Sequence, residues 1–339
     1  MLKKIFNVNI LLFFVSTFLT LLFSEFLVRT FSPRHNIWDY KVPTIEEGWK
    51  STSVPNTTFQ HFDSEDEYSV EVKINKYGFR DSKDLSHSKE KDIVLLGDSF
   101  CFGYGVEEEE RFGNILNQMI GDSIDVFNVS TPNCHFLTYY ENLKYAKKLG
   151  LKTKRMIFGV CMENDILNYD EMSLPQPPQG WNHVKYWFHR NSSLYAFIGE
   201  KLHNSRILEK ALHGLGLMND NSVAVISTIQ EQEIKSSAQH LAKIIEGYDE
   251  LVLIIPSRYL WIEEHQAKAL TVHKNFIQQL ENKGINVLDM KPLIDEASDN
   301  PLHEIYFFND GHWNLRGNQL VGEALSKSIN FSKSVSQFE

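Results

Sequence analysis

Two short segments, far apart in the sequence, hold the residue types of a nucleophilic site. Ser99 stands in Gly97-Asp98-Ser99, directly after the apolar run Ile93–Leu96. A serine hydroxyl becomes an effective nucleophile when a base takes its proton and a third group orients that base. Asp310-Gly311-His312, in a loop before a helical pattern, supplies both groups. The spacing predicts that His312 takes the proton of Ser99 and that Asp310 orients the imidazole.

Hydrogen-bond donors for a negatively charged carbonyl oxygen complete an acyl-transfer site. Candidate donors follow three predicted strands: the backbone amide of Ser99, a loop amide within Asn128 to Asn133 and the side-chain amide of Asn164. Each residue alone is also common in turns and helix caps. Because ligands of parallel sheets bind at the carboxyl ends of the strands, we expect these loops to meet at one edge.

The elements that position these loops alternate between apolar runs and amphipathic stretches. Strands are predicted at residues 93–96, 124–129, 156–160, 251–255 and 285–288, and helices at residues 111–120, 136–149, 230–246, 262–283 and 316–329. Glycines stand where helix C-caps belong, at Gly121, Gly150, Gly247 and Gly284. Strand and helix in repeated alternation predict an α/β fold with a parallel sheet covered on both faces.

The N-terminus carries an uncharged run over residues 5–24, which in a helix spans about 30 Å, the thickness of a bilayer's hydrocarbon core. Lys3 and Lys4 precede it, so the positive-inside rule places the N-terminus in the cytoplasm. We expect residues 1–30 to be a single transmembrane anchor and the rest to be periplasmic or extracellular. A cleaved signal peptide is the alternative.

Domain boundaries are predicted from changes in composition. Residues 31–91 are polar and read as a linker with a strand or hairpin lead-in, and residues 92–331 read as the catalytic domain. An insertion at about residues 167–227 contains prolines and an aromatic cluster. It is either a wall of the substrate site or ordinary packing of a long connection.

Composition narrows the function classes. With 34 basic and 44 acidic side chains the net charge is −10, which disfavours nucleic-acid binding. The sequence has no glycine-rich nucleotide motif and only three cysteines, so we expect no cofactor and no metal. Four glutamates at residues 107–110 suit a solvated helix start better than a cation site. Cys101 as a reactive thiol and His135 as the base are weaker alternatives to Ser99 and His312.

Together the segments resemble the GDSL/SGNH hydrolase family. The resemblance rests on Gly97-Asp98-Ser99 with Phe102 to Val106, Asn128 to Asn133, Asn164-Asp165 and Asp310-Gly311-His312, in this order. Residues 75–81 also resemble the lead-in of membrane-anchored bacterial members. The resemblance implies a three-layer α/β/α sandwich with a flavodoxin-like parallel sheet, and serine-dependent hydrolysis or transfer of O-acyl esters.

Three positions depart from the family pattern. Asn133 and Met162 stand where the family has glycine, and Asn309 stands where the common spacing has the acid. Asp310 then serves in a shorter spacing that resembles the alginate-acetylation branch. Asn tolerates positive φ, so a backbone donor at Asn133 is still compatible with the sequence.

The sequence thus predicts a membrane-anchored serine esterase that acts on acyl esters, above all O-acetyl groups of envelope carbohydrate. Its expected partners are an acylated small molecule or polysaccharide and the membrane, with no nucleic acid. Two alternatives stay open: an O-acyltransferase that moves the acyl group to a polysaccharide, and a catalytically inactive, anchored carbohydrate-binding protein.

Overall fold

The chain divides into two compact units in a computed structural model. One comprises residues 1–39 and 177–220, and the other residues 40–176 and 221–339. The structure describes residues 2–31, 41–44, 50–53, 55–63, 67–132, 134–174, 180–203 and 228–329. Each unit is considered by itself below.

A five-stranded parallel sheet forms the centre of the larger unit. Its strands are β5 (Ile93–Leu96), β6 (Val126–Asn128), β7 (Arg155–Cys161), β8 (Asp249–Ile255) and β9 (Val287–Asp289). They lie in the order β6-β5-β7-β8-β9, and every neighbouring pair is parallel. This is the flavodoxin-like order, in which the connection reverses direction between β5 and β7.

Helices cover both faces of the sheet. In chain order they are α2 (Ser99–Phe102), α3 (Phe112–Ile120), α4 (Phe136–Lys148), α7 (Glu231–Ile245), α8 (Glu263–Glu281), α9 (Met290–Ala297), α10 (Pro301–Glu304) and α11 (Leu315–Ser328). Because side chains alternate along a strand, Val94 and Leu96 pack with α4, α7 and α8, whereas Ile93 and Leu95 pack with α3, α9 and α11. The predicted three-layer α/β/α sandwich is confirmed.

The predicted elements agree with these bounds to within a few residues. β5 has the predicted limits, and β6 is shorter than the predicted strand 124–129. All four predicted cap glycines have positive φ, from 74° at Gly284 to 104° at Gly150, a conformation that glycine adopts without strain. The short helices α2, α9 and α10 were not predicted.

Two β-hairpins precede the central sheet. β1 (Lys41–Thr44) pairs with β2 (Lys50–Ser53), and β3 (Thr57–Phe62) pairs with β4 (Ser69–Ile74), both antiparallel. Side chains of β3 and β4 alternate between buried and more exposed positions. The predicted lead-in strand is therefore β4 of a hairpin. The predicted boundaries 31–91 and 92–331 remain predictions.

The smaller unit contains three helices in its described part: α1 (Leu2–Phe31), α5 (Trp181–Asn191) and α6 (Ser193–His203). Within α1, Val8–Phe31 has a mean hydropathy of 2.2 and none of its most apolar window is buried. Its length and composition suit a membrane span or a signal sequence. Residues 175–179 and 204–227 of the predicted insertion lie outside the described residues, and its role as a substrate wall stays a prediction.

Candidate active site

Ser99 lies at the carboxyl end of β5, as the first residue of α2. Asp98 caps this helix, because its Oδ1 accepts a hydrogen bond of 3.0 Å from the backbone N–H of Phe100. Gly97 before it contacts Cys101 so closely that a Cβ there would overlap the sulfur. The turn therefore places the Ser99 hydroxyl at the carboxyl end of the sheet, beside the gap between β5 and β7 where the chain connection reverses direction. Ligands of such sheets usually bind at this position.

His312 is brought to Ser99 by a tight loop between α10 and α11. The backbone N–H of Phe307 donates to the carbonyl of His312 at 3.0 Å, and Tyr306 and Trp313 form an isolated β-bridge. His312 Nε2 lies 2.7 Å from Ser99 Oγ, within hydrogen-bond distance. The two side chains that the sequence paired are thus in contact.

Asp310 bonds to the opposite side of the His312 ring. His312 Nδ1 and Asp310 Oδ1 form a short hydrogen bond, and the same oxygen accepts the backbone N–H of His312 at 2.9 Å. An Nδ1–H directed at the carboxylate leaves Nε2 as the acceptor for the Ser99 proton. Ser99, His312 and Asp310 therefore have the arrangement of a serine-histidine-aspartate triad.

The lead-in hairpin adds contacts to this loop that the sequence did not indicate. Tyr68 donates its hydroxyl to Asp310 Oδ2 at 3.1 Å, and the His61 Nε2 lies 3.5 Å from the Tyr68 oxygen. The Glu67 carboxylate accepts the backbone N–H groups of Phe308 and, at 2.8 Å, Asn309. Asn309, at the family's usual acid position, thus contributes to the loop through its backbone.

The charges of these groups are set by burial and by their neighbours. Burial raises the pKa of Asp310, but the hydrogen bonds and charge of His312, together with the Tyr68 hydroxyl, lower it to about 2. Burial lowers the pKa of His61 to about 3 and raises that of Tyr68. Asp310 is therefore ionised at neutral pH, while His61 and Tyr68 are neutral.

Aromatic rings enclose the His312 imidazole. Tyr104 stacks on it with ring centroids 4.2 Å apart and an interplanar angle of 22°. The Phe100 ring is tilted against the imidazole, with ring centroids 4.8 Å apart. These contacts restrict the imidazole to the plane in which it reaches both Ser99 and Asp310.

Asn164 lies in the turn after β7, next to the nucleophile segment. Its Nδ2 donates a hydrogen bond of 3.0 Å to Asp98 Oδ2. A carboxamide nitrogen carries two hydrogens, so one remains for a substrate oxygen. Asp98 itself is fully buried, and burial raises its pKa.

Asp165 fixes the turn that carries Asn164. Its Oδ2 accepts the backbone N–H of Cys161 at 2.9 Å, and its Oδ1 accepts the Tyr139 hydroxyl at 3.1 Å. Its side chain is fully buried, and burial raises its pKa. The residue therefore positions the turn from within the core.

The loop after β6 is hydrogen-bonded to the segment from Gly97 to Cys101 that contains Ser99. Asn128 Nδ2 donates to the carbonyl of Cys101 at 2.6 Å, and the backbone N–H of Thr131 donates to the carbonyl of Gly97 at 3.3 Å. Asn133, predicted as a backbone donor, lies outside the described residues. Its place in an oxyanion hole stays a prediction.

A partly exposed ion pair packs against the Asp310 loop from the β8 side. Arg258 Nη2 lies 2.9 Å from Glu163 Oε2, and the Arg258 backbone N–H donates to Glu163 Oε1 at 2.7 Å. The Arg258 guanidinium packs against Gly311, where a Cβ would overlap it. A cavity of about 300 Å³ next to this loop is lined by Arg258, Tyr259, Ile262, Leu302, His303, Tyr306, Phe307 and Phe308.

The weaker alternatives have other structural roles. Cys101 is fully buried, and burial raises its pKa well above the ordinary value, which disfavours the thiolate. His135 directly precedes α4, where its backbone N–H donates to Thr138 Oγ1 at 2.8 Å. Glu107 and Glu108 accept backbone N–H groups of Glu71 and Ser82. Within the described ranges, no group of three His, Cys, Asp or Glu residues is arranged to hold a metal ion.

Several solved structures are similar to the chain. A GDSL-family lipolytic protein from Veillonella parvula is 12% identical with a TM-score of 0.41, covering 70% of this chain and 97% of its own. A lipase/acylhydrolase from Enterococcus faecalis is 12% identical with a TM-score of 0.42, covering 70% and 95%. The carbohydrate acetylesterase Est24 from Sinorhizobium meliloti is 11% identical with a TM-score of 0.35, covering 70% and 98%. No curated protein matches the chain.

A family model matches the C-terminal part of the chain. Residues 218–339 match the family described as "SGNH hydrolase-like domain, acetyltransferase AlgX". This segment includes β8, β9 and the loop with Asp310 and His312. The resemblance to the GDSL/SGNH hydrolase family seen in the sequence motifs is confirmed by this match to an SGNH hydrolase-like domain.

Proposed function

We propose that the chain is a serine-dependent enzyme that cleaves O-acyl esters through an acyl-Ser99 intermediate. The observation that carries the proposal is the continuous contact from Ser99 Oγ through His312 to Asp310. Ser99 is largely buried, with 7% of its surface exposed. Asp310 and His312 act as the orienting acid and the general base.

In the first step Ser99 Oγ attacks the ester carbonyl carbon while its proton moves to His312 Nε2. The bond from Oγ to the acyl carbon forms, the bond to the alkoxy oxygen breaks, and the alcohol leaves with the proton from His312. In the second step water gives its proton to His312 and attacks the acyl carbon, which releases the acid and restores Ser99. Asp310 stabilises the imidazolium in both steps.

The carbonyl oxygen becomes negatively charged during both attacks. We assign its stabilisation to the backbone N–H of Ser99, the second hydrogen of Asn164 Nδ2 and a backbone N–H at Asn133. The first N–H groups of a helix have no acceptor within that helix, which suits the Ser99 amide for this role. The Asn164 amide is held beside it by Asp98.

Transfer to a sugar hydroxyl is the second candidate. The matched family is described as an acetyltransferase, and a hydroxyl can replace water in the second step without any change in the triad. The expected substrates are acylated, above all O-acetylated, envelope carbohydrates.

We assign α1 as a retained anchor with the catalytic unit in the periplasm or outside the cell. An intact N-terminus on the membrane-bound protein would support this assignment, and a cleaved N-terminus would contradict it.

Fluorophosphonate labelling of the purified full chain tests the nucleophile. Label is expected on wild type and on Ser130→Ala, a buried serine in the neighbouring loop, and is lost in Ser99→Ala. If folded wild-type protein takes no label, the remaining alternative, an inactive carbohydrate-binding protein, is favoured instead.

An assay with an acetyl donor, with and without a glycan acceptor, separates the two reactions. Hydrolysis predicts release of acetate without acceptor. Acceptor-dependent product with negligible acetate release would identify the protein as a transferase and overturn the esterase proposal.

A further inference from the structure

The helices α5 and α6 form a hairpin, and α6 lies beside the apolar helix α1. The turn between α5 and α6, at Ser192, forms hydrogen bonds with two charged side chains of α1, Glu25 and Arg29, which lie one helical turn apart. The Glu25 carboxylate accepts the Ser192 hydroxyl at 2.8 Å and the backbone N–H groups of Ser193 and Leu194 at 2.8 and 2.9 Å. Arg29 donates to the carbonyl of Asn191 at 2.7 Å. The start of α6 is therefore capped by α1 itself.

Glu25 marks the end of the apolar run, since no charged residue precedes it back to Lys4. Phe18 lies seven positions earlier, so along the α1 axis it is about 10 Å further into the span. A cavity of about 530 Å³ is lined by Phe18, Leu21 and Leu22 on α1, and by Trp187, Phe188 and Ile198 among others on α5 and α6. These α5 and α6 side chains therefore lie at the depth of the span and not above it.

The same two helices present large apolar side chains outward. Trp181 is 70% exposed, and Trp187, Phe188 and Ile198 are 52%, 44% and 47% exposed. Tryptophan and other aromatic residues concentrate where acyl chains meet headgroups. Amphipathic helices that lie in this region bury their apolar face about 5–10 Å deep, which matches the offset between Glu25 and Phe18.

We propose that α5 and α6 form a membrane-interface hairpin, residues 181–203, that lies against α1 and buries its aromatic face among lipid acyl chains. The occupant is lipid because one wall of the cavity is the span itself, so the medium around Phe18 and Leu22 also reaches Trp187 and Ile198. The inference rests on the proposed membrane anchoring of α1. The hairpin gives the chain a second contact with the bilayer, in addition to α1.

Site-specific labels in the full chain, reconstituted singly into phospholipid nanodiscs, test the hairpin. An environment-sensitive fluorophore is attached to Ile198→Cys in the hairpin, Val15→Cys in α1 and Met119→Cys in the catalytic unit. The three sites have similar exposure, at 47%, 45% and 49%. The native cysteines are buried, and wild-type protein measures their background labelling.

Lipids brominated along the acyl chain quench fluorophores that they touch. The label at Ile198 is expected to be blue-shifted and to lose most of its emission, more with bromine near the headgroup end than near the methyl end. The label at Val15 is also quenched, and the label at Met119 is not. Glu25→Ala, which removes the cap of α6, is expected to weaken quenching at Ile198 and leave Val15 unchanged.

The possible failures are distinct. An unquenched label at Val15 means that α1 does not enter the bilayer, and the anchoring proposal fails. Quenching at Val15 with a label at Ile198 that behaves like that at Met119 overturns the hairpin alone. That second result would indicate that protein, such as a second copy, or water covers this face.

Discussion

The Tyr68 hydroxyl donates a hydrogen bond to Oδ2 of Asp310, 3.1 Å away, on the side of the carboxylate opposite His312. The bond joins a hairpin residue to a loop near the other end of the chain. Asp310 thus has both oxygens occupied by donors, one from the base and one from the hairpin. A carboxylate held at both oxygens cannot rotate away from the imidazole without losing a bond in a largely buried place.

Removing this hydroxyl tests whether the hairpin positions the triad. Tyr68→Phe is expected to lower kcat/KM roughly 10-fold, since a hydrogen bond to a charged group contributes about 1.5–3 kcal/mol and only part of it bears on the reaction. The loss should fall on kcat and leave KM nearly unchanged, because Tyr68 touches Asp310 and not the substrate. Steady-state hydrolysis of an aryl acetate measures both constants.

Tyr77→Phe is the matched control. Its hydroxyl also bonds to an aspartate, Asp84 Oδ1 at 2.6 Å, but outside the triad. Activity equal to wild type in Tyr77→Phe and reduced in Tyr68→Phe supports positioning. Equal activity in all three proteins would show that the hairpin bond is dispensable.

The negative charge of Asp310 is expected to affect both the catalytic rate and the free energy of unfolding. Asp310→Asn is expected to lower kcat by roughly 10³–10⁴, since the amide favours the wrong tautomer of His312. The pKa of Asp310 is about 2 in the folded chain, against an ordinary 3.8. Because the pKa is lower in the folded chain, the ionised carboxylate stabilises the fold at pH values above the ordinary pKa. That stability is lost as the pH falls through about 4 towards 2.

Urea unfolding of the detergent-solubilised chain measures the second effect. The advantage of wild type over Asp310→Asn is expected to shrink by about 2 kcal/mol between neutral pH and pH 2. Asp122→Asn, at an exposed turn after α3, controls for the loss of one carboxylate. A pH-independent difference between wild type and Asp310→Asn would contradict the assigned charge.

Gly311 and Arg258 provide a test by double mutation. A Cβ at Gly311 would overlap the Arg258 guanidinium, which Glu163 holds in place. Gly311→Ala is therefore expected to shift the Asp310 loop and lower kcat about tenfold. In the Arg258→Ala background the space is open, so adding Gly311→Ala should have little further effect. Additive losses in the double variant would mean that the glycine is needed for another reason.

Much of the fold could be predicted because buried parallel strands are continuous apolar runs. All four residues of β5 are buried, and the run Ile93–Leu96 gave its limits directly. Helices of several turns show a clear apolar stripe, whereas α2 and α10 have only four residues each and show no period. Their existence depends on tertiary contacts.

The contact between Ser99, His312 and Asp310 could be predicted because each of these residues stands in a short motif at a predicted strand end or before a predicted helix. The contacts of Tyr68 and Arg258 could not, since they join segments far apart through packing that no local pattern encodes. Tyr68 lies just before β4, and Arg258 lies just after β8. Their positions beside strand ends were the only signal in the sequence.

Cys101 fills the space beneath the nucleophile turn, and its removal distinguishes packing from chemistry. A Cβ at Gly97 or at Gly159 would overlap the Cys101 sulfur, so both glycines are needed because this side chain is there. Cys101→Ala should retain most of the activity, since the buried thiol has a raised pKa and does no chemistry. Gly159→Ala should destabilise the fold by about 1–3 kcal/mol through overpacking, and Cys101→Ala should relieve that loss in the double variant. Thermal unfolding and acetate release are measured for all four proteins; loss of activity in Cys101→Ala with unchanged unfolding would instead give the thiol a part in the reaction.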